Sequence, residues 1–251
     1  MVTALTRAIP DTFDNATMEH ATAIDVGLAR TQHAAYVRAL GSLGLATVEL
    51  AGDERYPDCC FIEDCAVVAD GVALITRPGA VSRRGETAAV QRALESHRGI
   101  HRASYVEAPA TLDGGDCMRI GKRMFVGLSA RTNTAGLARV REVFRDLTVV
   151  GVPIAGVLHL KCVCSPLGDD RVLLAEGTLA PGIFTGLNVV TIPNAERYAA
   201  NCVVHAGKAI VADGFPNTSE ALERAGFATI ALAMSEIRKA DGSLTCMSIV
   251  I

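Results

Sequence analysis

One unit recurs along this chain and limits what it can fold into: a short strand, a turn carrying Gly or Asp, a second apolar strand, then a polar turn leading into a helix. The first copy runs from Cys65 (CAVVADGVALITRPG) into a helix from Ser82 (SRRGETAAVQRALES), and the second from Asp116 (DCMRIGKRMFVGLSA) into a segment from Arg131 (RTNTAGLARVREVFRDL). The third begins at Cys164 (CSPLGDDRVLLAEG) with a weaker helix over 181–187, and the fourth at Asn201 (NCVVHAGKAIVADGFP) with a helix from Asn217. Turn chemistry between β-rich runs marks the hairpins, and polar starts such as Asn133 and Thr218 before apolar positions of helical period mark the helices. A fifth unit assembles from the two ends: a strand in LTCMSIVI from Leu244, another in VTALTRAI from Val2, and a helix from Gly27. Ends that complete one unit imply a ring, because closure removes exposed sheet edges. The alternative is an ordinary mixed α/β domain.

Length and composition narrow the function. A chain of 251 residues allows one or two domains, but no linker-like or charge-block segment interrupts it, so the expectation is a single domain over residues 1–251. A net charge of -3 with four Tyr, seven Phe and no Trp offers no basic, aromatic-bearing face for nucleic acid. The first thirty residues hold Asp11, Asp14, Glu19 and Asp25 without an apolar block, unlike a secretory signal. The most apolar stretch, Leu147 to Leu160, contains Pro153 and His159 and is shorter than the roughly 18 apolar residues of a membrane span. Eight cysteines lie mostly in apolar runs without a CxxC pair, which implies reduced thiols, no structural metal and a cytoplasmic protein.

Four polar clusters interrupt apolar segments: Asp58 to Asp64, Leu112 to Asp116, the residues around His159, and Asp241 to Cys246. In a strand, His159 faces away from Leu158 and Leu160. Singly, His159 reads as structural and Cys246 as a small hydrophobe. Jointly with Asp113 they supply a thiol, an imidazole and a carboxylate, the set that generates a nucleophile, relays its proton and orients the relay. Gly114 and Gly115 allow close backbone approach or positive φ beside Asp113; a plain turn is the other reading. Asp58, Glu63 and Asp64 crowd carboxylates that a planar guanidinium would satisfy, while Arg83, Arg84 and Arg131 could meet a carboxylate on the same ligand. That combination describes a zwitterionic guanidino amino acid.

Several blocks, in order, resemble the dimethylarginine dimethylaminohydrolases of the guanidino-group-modifying, or pentein, superfamily: DERYPDCCFIED at 53–64, ALITRPGAVSRRGE at 73–86, TLDGGD at 111–116, FVGLSARTN at 125–133, LHLK at 158–161, YAANC at 198–202 and KADGSLTCMS at 239–248. The resemblance implies a five-bladed α/β propeller with a central active site. It places the nucleophile on Cys246, the acid/base histidine on His159 and the histidine-orienting acid on Asp113, where some relatives have Glu. Substrate positions fall on Asp58, Glu63 and Asp64 at the guanidino end and on Arg83 and Arg131 at the amino-acid end. Met18 and Ala240 match pocket-wall positions that are often Leu and Val in relatives, and the loop near Met18 is expected to cover the site.

The activity so implied is hydrolysis of N-omega-methylated arginines to citrulline through a covalent thiouronium on Cys246, without metal or organic cofactor, by a monomer or homodimer whose partner is the small guanidino substrate. A sister arginine deiminase-like hydrolase or a non-catalytic pentein binding module are the rival readings. The deiminases' extra helical insertion has no room in 251 residues.

Overall fold

The computed structural model describes every residue except Met1, Asp169 and Pro181. Its strands form five sheets of three. The first joins both ends of the chain: β1 (Thr3–Arg7) pairs parallel with β2 (Ala46–Leu50) and antiparallel with the last strand, Ser248–Val250. The others are β3 (Ala66–Ala69) with β4 (Val72–Ile75) and β5 (Arg102–Tyr105); β6 (Cys117–Ile120) with β7 (Arg123–Leu128) and β8 (Thr148–Pro153); β9 (Cys164–Pro166) with β10 (Arg171–Ala175) and β11 (Asn188–Ile192); and β12 (Val203–His205) with β13 (Lys208–Ala212) and β14 (Ala228–Leu232). The last strand, Ser248–Val250, is β15. In every sheet the middle strand pairs antiparallel with one neighbour and parallel with the other, giving a pseudo-fivefold, five-bladed α/β propeller.

A parallel pair needs a crossover, and four helices supply it: α1 (Val26–Ser42), α2 (Thr87–Ser96), α3 (Thr134–Val143) and α4 (Pro216–Arg224). A short α5 (Ser235–Lys239) follows β14. The helix expected over 181–187 does not form: Pro181 lies outside the described residues, and 182–187 are turns with Gly182 and Gly186 at φ 87° and 78°. Left-handed glycines break a helix where no apolar stripe compensates. Elsewhere local chemistry agrees with the elements. Asp25 caps α1 through the Leu28 amide at 2.9 Å, and Asn133 caps α3 through that of Gly136 at 2.9 Å. Asp70-Gly71, both at positive φ, turn the β3–β4 hairpin.

Burial follows position in the blade. Middle strands such as β4 are wholly buried, whereas β2 and β5 alternate between half-buried and exposed. Ring closure thus shelters the inner strands only; the outer edge of each blade is left to a short exposed strand. Along the inner strands runs a cavity of about 280 Å³, with Glu63, Lys161 and Thr245 at one end and Val68, Arg119 and Val250 at the other. Among the described residues no helix is long and apolar enough to cross a membrane.

The blade made from both ends is fastened twice. Thr3 and Ile251 exchange backbone hydrogen bonds of 2.9 and 2.8 Å, and the fully buried Tyr36 of α1 shares a 2.7 Å hydrogen bond with Ser248 Oγ. Tyr36→Phe should therefore destabilise the fold by about 1–2 kcal/mol, the usual cost of a buried hydroxyl left without its partner. Urea unfolding would measure it, and an unchanged midpoint would show that this bond does not hold the closure.

Candidate active site

Each inner strand follows a short 3-10 turn, and the turn carries or abuts a polar residue followed by cysteine: Asp64-Cys65, Asp116-Cys117, Lys161-Cys162, Asn201-Cys202 and Thr245-Cys246. These turns touch one another around the ring, and they gather the chemistry. His159 immediately precedes the Leu160–Cys162 turn, Asp113 the Gly114–Asp116 turn, and Cys246 lies inside the Thr245–Met247 turn. None of the three sits in a strand. His159 does have extended backbone, but Leu160 is buried while Leu158 is 38% exposed, because only Leu160 enters the packed turn.

His159 is 3% exposed, and its Nε2 lies 3.0 Å from Asp113 Oδ2 and 3.9 Å from Asp64 Oδ1. Burial alone would lower its pKa. Asp64, the hydrogen bond to Asp113, and Asp116 outweigh that and raise it to about 9. That shift favours the protonated ring at neutral pH. Asp113 is held in turn by the Gly79 amide at 2.8 Å. Gly115 is required beside the ring for close approach, not for positive φ: a Cβ there would lie 2.7 Å from His159 Nδ1 and 2.8 Å from Asp64 Oδ1. Gly114 is equally constrained, with the Glu63 carbonyl 2.0 Å from a Cβ placed on it.

Cys246 is half-buried. Burial first, then the nearby Glu63 and Asp64 carboxylates, push its thiol pKa well above the ordinary value. An arriving cation would oppose the carboxylate contribution. Asp58 accepts from the Thr17 amide at 3.1 Å and the Thr17 hydroxyl at 3.1 Å, which ties down the segment carrying the half-buried Met18. The next residue, Glu19, donates its amide to Asp241 at 2.6 Å, beside the buried Ala240.

Two residues expected to meet the ligand already have partners within the chain. Arg83, expected at the amino-acid end, is 5% exposed and turns inward: it bonds the Asp64 and Glu86 carboxylates and donates to the Phe61 carbonyl at 2.9 Å. It balances buried acids, which would otherwise be too costly to ionise. Glu63, expected at the guanidino end, is paired with Lys161 and accepts from Thr245 Oγ1 at 2.8 Å, facing the axial cavity. Arg131 differs from Arg83. Its Nη1 is buried 3.7 Å from Asp113 Oδ2 without a hydrogen bond, a donor still lacking an acceptor.

Asp64 is stabilised as an anion. Burial opposes its ionisation, but His159 and Arg83 hold the carboxyl down at about 2. Ligand atoms of Asp64, Asp113 and His159 lie within 4.8 Å of one another, close enough to consider a metal ion. They already serve one another, since Nε2 is bonded to Asp113 and the Asp64 oxygens take the Gly115 amide and Arg83. The trio is better described as a buried ion-pair cluster. All eight cysteines are free.

Two buried residues beside this cluster, Lys161 and Asn201, were not singled out by the sequence reading: Lys161 pairs with Glu63, and Asn201 bonds the Lys161 carbonyl and Thr245. The signal was present: a polar residue before cysteine at the head of each repeat, visible once the five turns are aligned.

Comparison with known proteins gives a consistent picture. Residues 2–181 match the family model for N,N dimethylarginine dimethylhydrolase, eukaryotic. The chain is 36% identical over 239 residues to the N(G),N(G)-dimethylarginine dimethylaminohydrolase of Pseudomonas aeruginosa, covering 94% of this chain and 93% of that one. It is 40% identical over 230 residues to the protein of the same description from Streptomyces coelicolor, covering 90% and 87%. The structure superposes with a TM-score of 0.93, at 34% identity and 99% and 98% coverage, on a cysteine-to-serine mutant of the Pseudomonas aeruginosa enzyme complexed with citrulline.

The charge on His159 sets a pH dependence. Its pKa in the folded state, about 9, lies above the ordinary 6.5, so its contribution to stability is complete below about 6.5 and is lost as pH rises through about 9. NMR titration should place the imidazole near the higher value and show a lower one in Asp64→Asn. A value near 6.5 in the wild type would contradict the cluster's electrostatics.

Proposed function

The chain belongs to the dimethylarginine dimethylaminohydrolase family, and on that premise we propose that it hydrolyses asymmetric dimethylarginine and monomethylarginine to citrulline, with Cys246 as nucleophile, His159 as acid and base, and Asp113 as the acid that orients His159. The observation that carries the reading is the cationic His159 locked between buried Asp113 and Asp64 at the level of the turn that presents a half-buried thiol.

The steps follow from charge. A guanidinium carbon is a poor electrophile because resonance spreads its charge, so the thiol must ionise, and Cys246 resists that while the site lacks a cation. The substrate guanidinium, drawn by Asp58 and Asp64, offsets the carboxylates and releases the thiol proton to solvent. The thiolate bonds to Cζ, the bond from Cζ to the methylated nitrogen breaks, and protonated His159 donates to the departing dimethylamine or methylamine. The resulting thiouronium is attacked by water, one of whose protons returns to His159; the Cζ–S bond then breaks as the added hydroxyl gives up its remaining proton to solvent, leaving citrulline and the thiolate. Each step draws only on side chains.

Arg131 supplies the donor for the substrate carboxylate, supported by its buried Nη1 without a partner; Arg84, whose Nε donates to the Pro78 carbonyl at 3.1 Å, flanks it less specifically. Met18 and Ala240 form the pocket wall, and the segment around Met18 covers it, supported by its bonds to Asp58 and Asp241. The functional unit is one catalytic domain, a monomer or homodimer. A cytoplasmic setting is supported by eight free thiols.

Citrulline release from asymmetric dimethylarginine, monomethylarginine and arginine, by wild type and Cys246→Ser, tests the reading. Methylated substrates should turn over and the mutant should lose at least about a thousandfold in kcat, the scale for removing a nucleophile. Turnover should also fall as pH rises through about 9, where His159 loses the proton it donates. Turnover of arginine alone would move the chain to the deiminase reading, and no citrulline from any of the three would end the catalytic one.

A further inference from the structure

Cys246 and His159 come from turns of different blades, and the distance between reacting groups is therefore only as well defined as the joint between those turns. One side chain bridges the two turns directly. Asn201, 2% exposed, donates from Nδ2 to the Lys161 carbonyl at 2.9 Å and to Thr245 Oγ1 at 3.0 Å, and accepts the Thr245 amide on Oδ1 at 2.8 Å. Lys161 lies two residues after His159, and Thr245 immediately precedes Cys246. The amide can sit only one way round. The Lys161 carbonyl accepts only and the Thr245 amide donates only, so exchanging oxygen and nitrogen would set acceptor against acceptor and donor against donor. Thr245 Oγ1, having accepted from Asn201, donates to Glu63 Oε2 at 2.8 Å, and Glu63 returns to Lys161 through its ion pair. The result is a closed, directional ring of four buried residues from four blades.

We infer that Asn201 is a positioning residue for the reaction: it holds the turn carrying Cys246 in register with the turn carrying His159 and touches neither substrate nor the reacting atoms. This rests on the catalytic reading above. Asn201→Ala removes all three bonds and frees the Thr245–Met247 turn. Asn201→Asp keeps the acceptor for Thr245 but places an oxygen against the Lys161 carbonyl. Both should misplace the thiol without removing a substrate contact.

The test combines steady-state kinetics with alkylation by iodoacetamide, read at each cysteine by mass spectrometry. Both variants should lose about tenfold or more in kcat with KM within about threefold of wild type, the pattern of an interaction felt in the transition state and not in binding. Cys246, released from its buried turn, should be alkylated about fivefold faster or more at pH 8, the reverse of its catalytic change. Cys117 and Cys164, buried in inner strands, should stay protected, which separates a loosened turn from general unfolding. A kcat within about twofold of wild type, a loss confined to KM, or unchanged Cys246 alkylation would each overturn the inference. Should Asn201→Ala not fold, Asn201→Asp together with Thr245→Val, which cuts the ring at Oγ1 alone, decides by the same criteria. If the wild type forms no citrulline, the catalytic reading fails by itself, and the alkylation contrast still decides whether Asn201 holds the turn.

Discussion

The structure depends on one recurring interaction: in four of the five blades a buried polar side chain near the head captures a backbone amide at the head of the next. Asp64 takes the Gly115 amide at 2.9 Å, Asp116 that of Leu160 at 2.9 Å, Ser165 that of Cys202 at 3.0 Å, and Asn201 that of Thr245 at 2.8 Å. Thr245 Oγ1 then reaches Glu63 and completes the circuit. The first backbone amides of a short turn have no partner within it and cannot be buried unpaired, so each acceptor solves a local problem and a global one together. Sheets that share no strand are joined at their most buried point by polar bonds whose geometry admits little slack.

The same positions concentrate charge. Glu63, Asp64, Glu86, Asp113 and Asp116 are all buried, and Arg83, Lys161 and His159 are buried among them. Desolvation of so many carboxylates is costly, and it is offset by pairing: Arg83 with Asp64 and Glu86, Lys161 with Glu63, His159 with Asp113. Even with pairing, burial shows. The Glu86 carboxyl is pushed up to about 7 by burial despite Arg83. A site assembled on such a framework is set for a cationic substrate, since acids near the thiol disfavour its ionisation until positive charge arrives.

Much of this was legible in the chain. Turn residues such as Asp70-Gly71 and caps such as Asn133 act locally, and they marked four blades and, through the two end segments, the fifth. The third blade's helix failed because Gly182 and Gly186 outweighed a weak apolar pattern. Cys246, His159 and Asp113 were found by chemical type and by resemblance, neither of which reports where a side chain points. Arg83 shows the limit: the sequence offers two adjacent arginines, and only packing decides that Arg83 turns in to Asp64 while Arg84 stays half-buried. Asn201 was hidden for the complementary reason. Its partners are 40 and 44 residues away, and only alignment of the five repeats, each with a polar residue before cysteine, sets it apart from an ordinary loop asparagine.

The blade built from both ends has a bearing on how the protein is made. Strand β1 leaves the ribosome ahead of the other fourteen described strands, yet its antiparallel neighbour β15 follows all four remaining sheets, and Cys246 lies just before β15. During synthesis the acids of the first two repeats and His159 therefore exist for some time without the thiol they later surround. The nascent chain holds β1 with one side unpaired, a long-range contact that can form only late. Order of synthesis thus acts as a timer: Cys246 reaches the carboxylates of Glu63 and Asp64 only as the ring shuts.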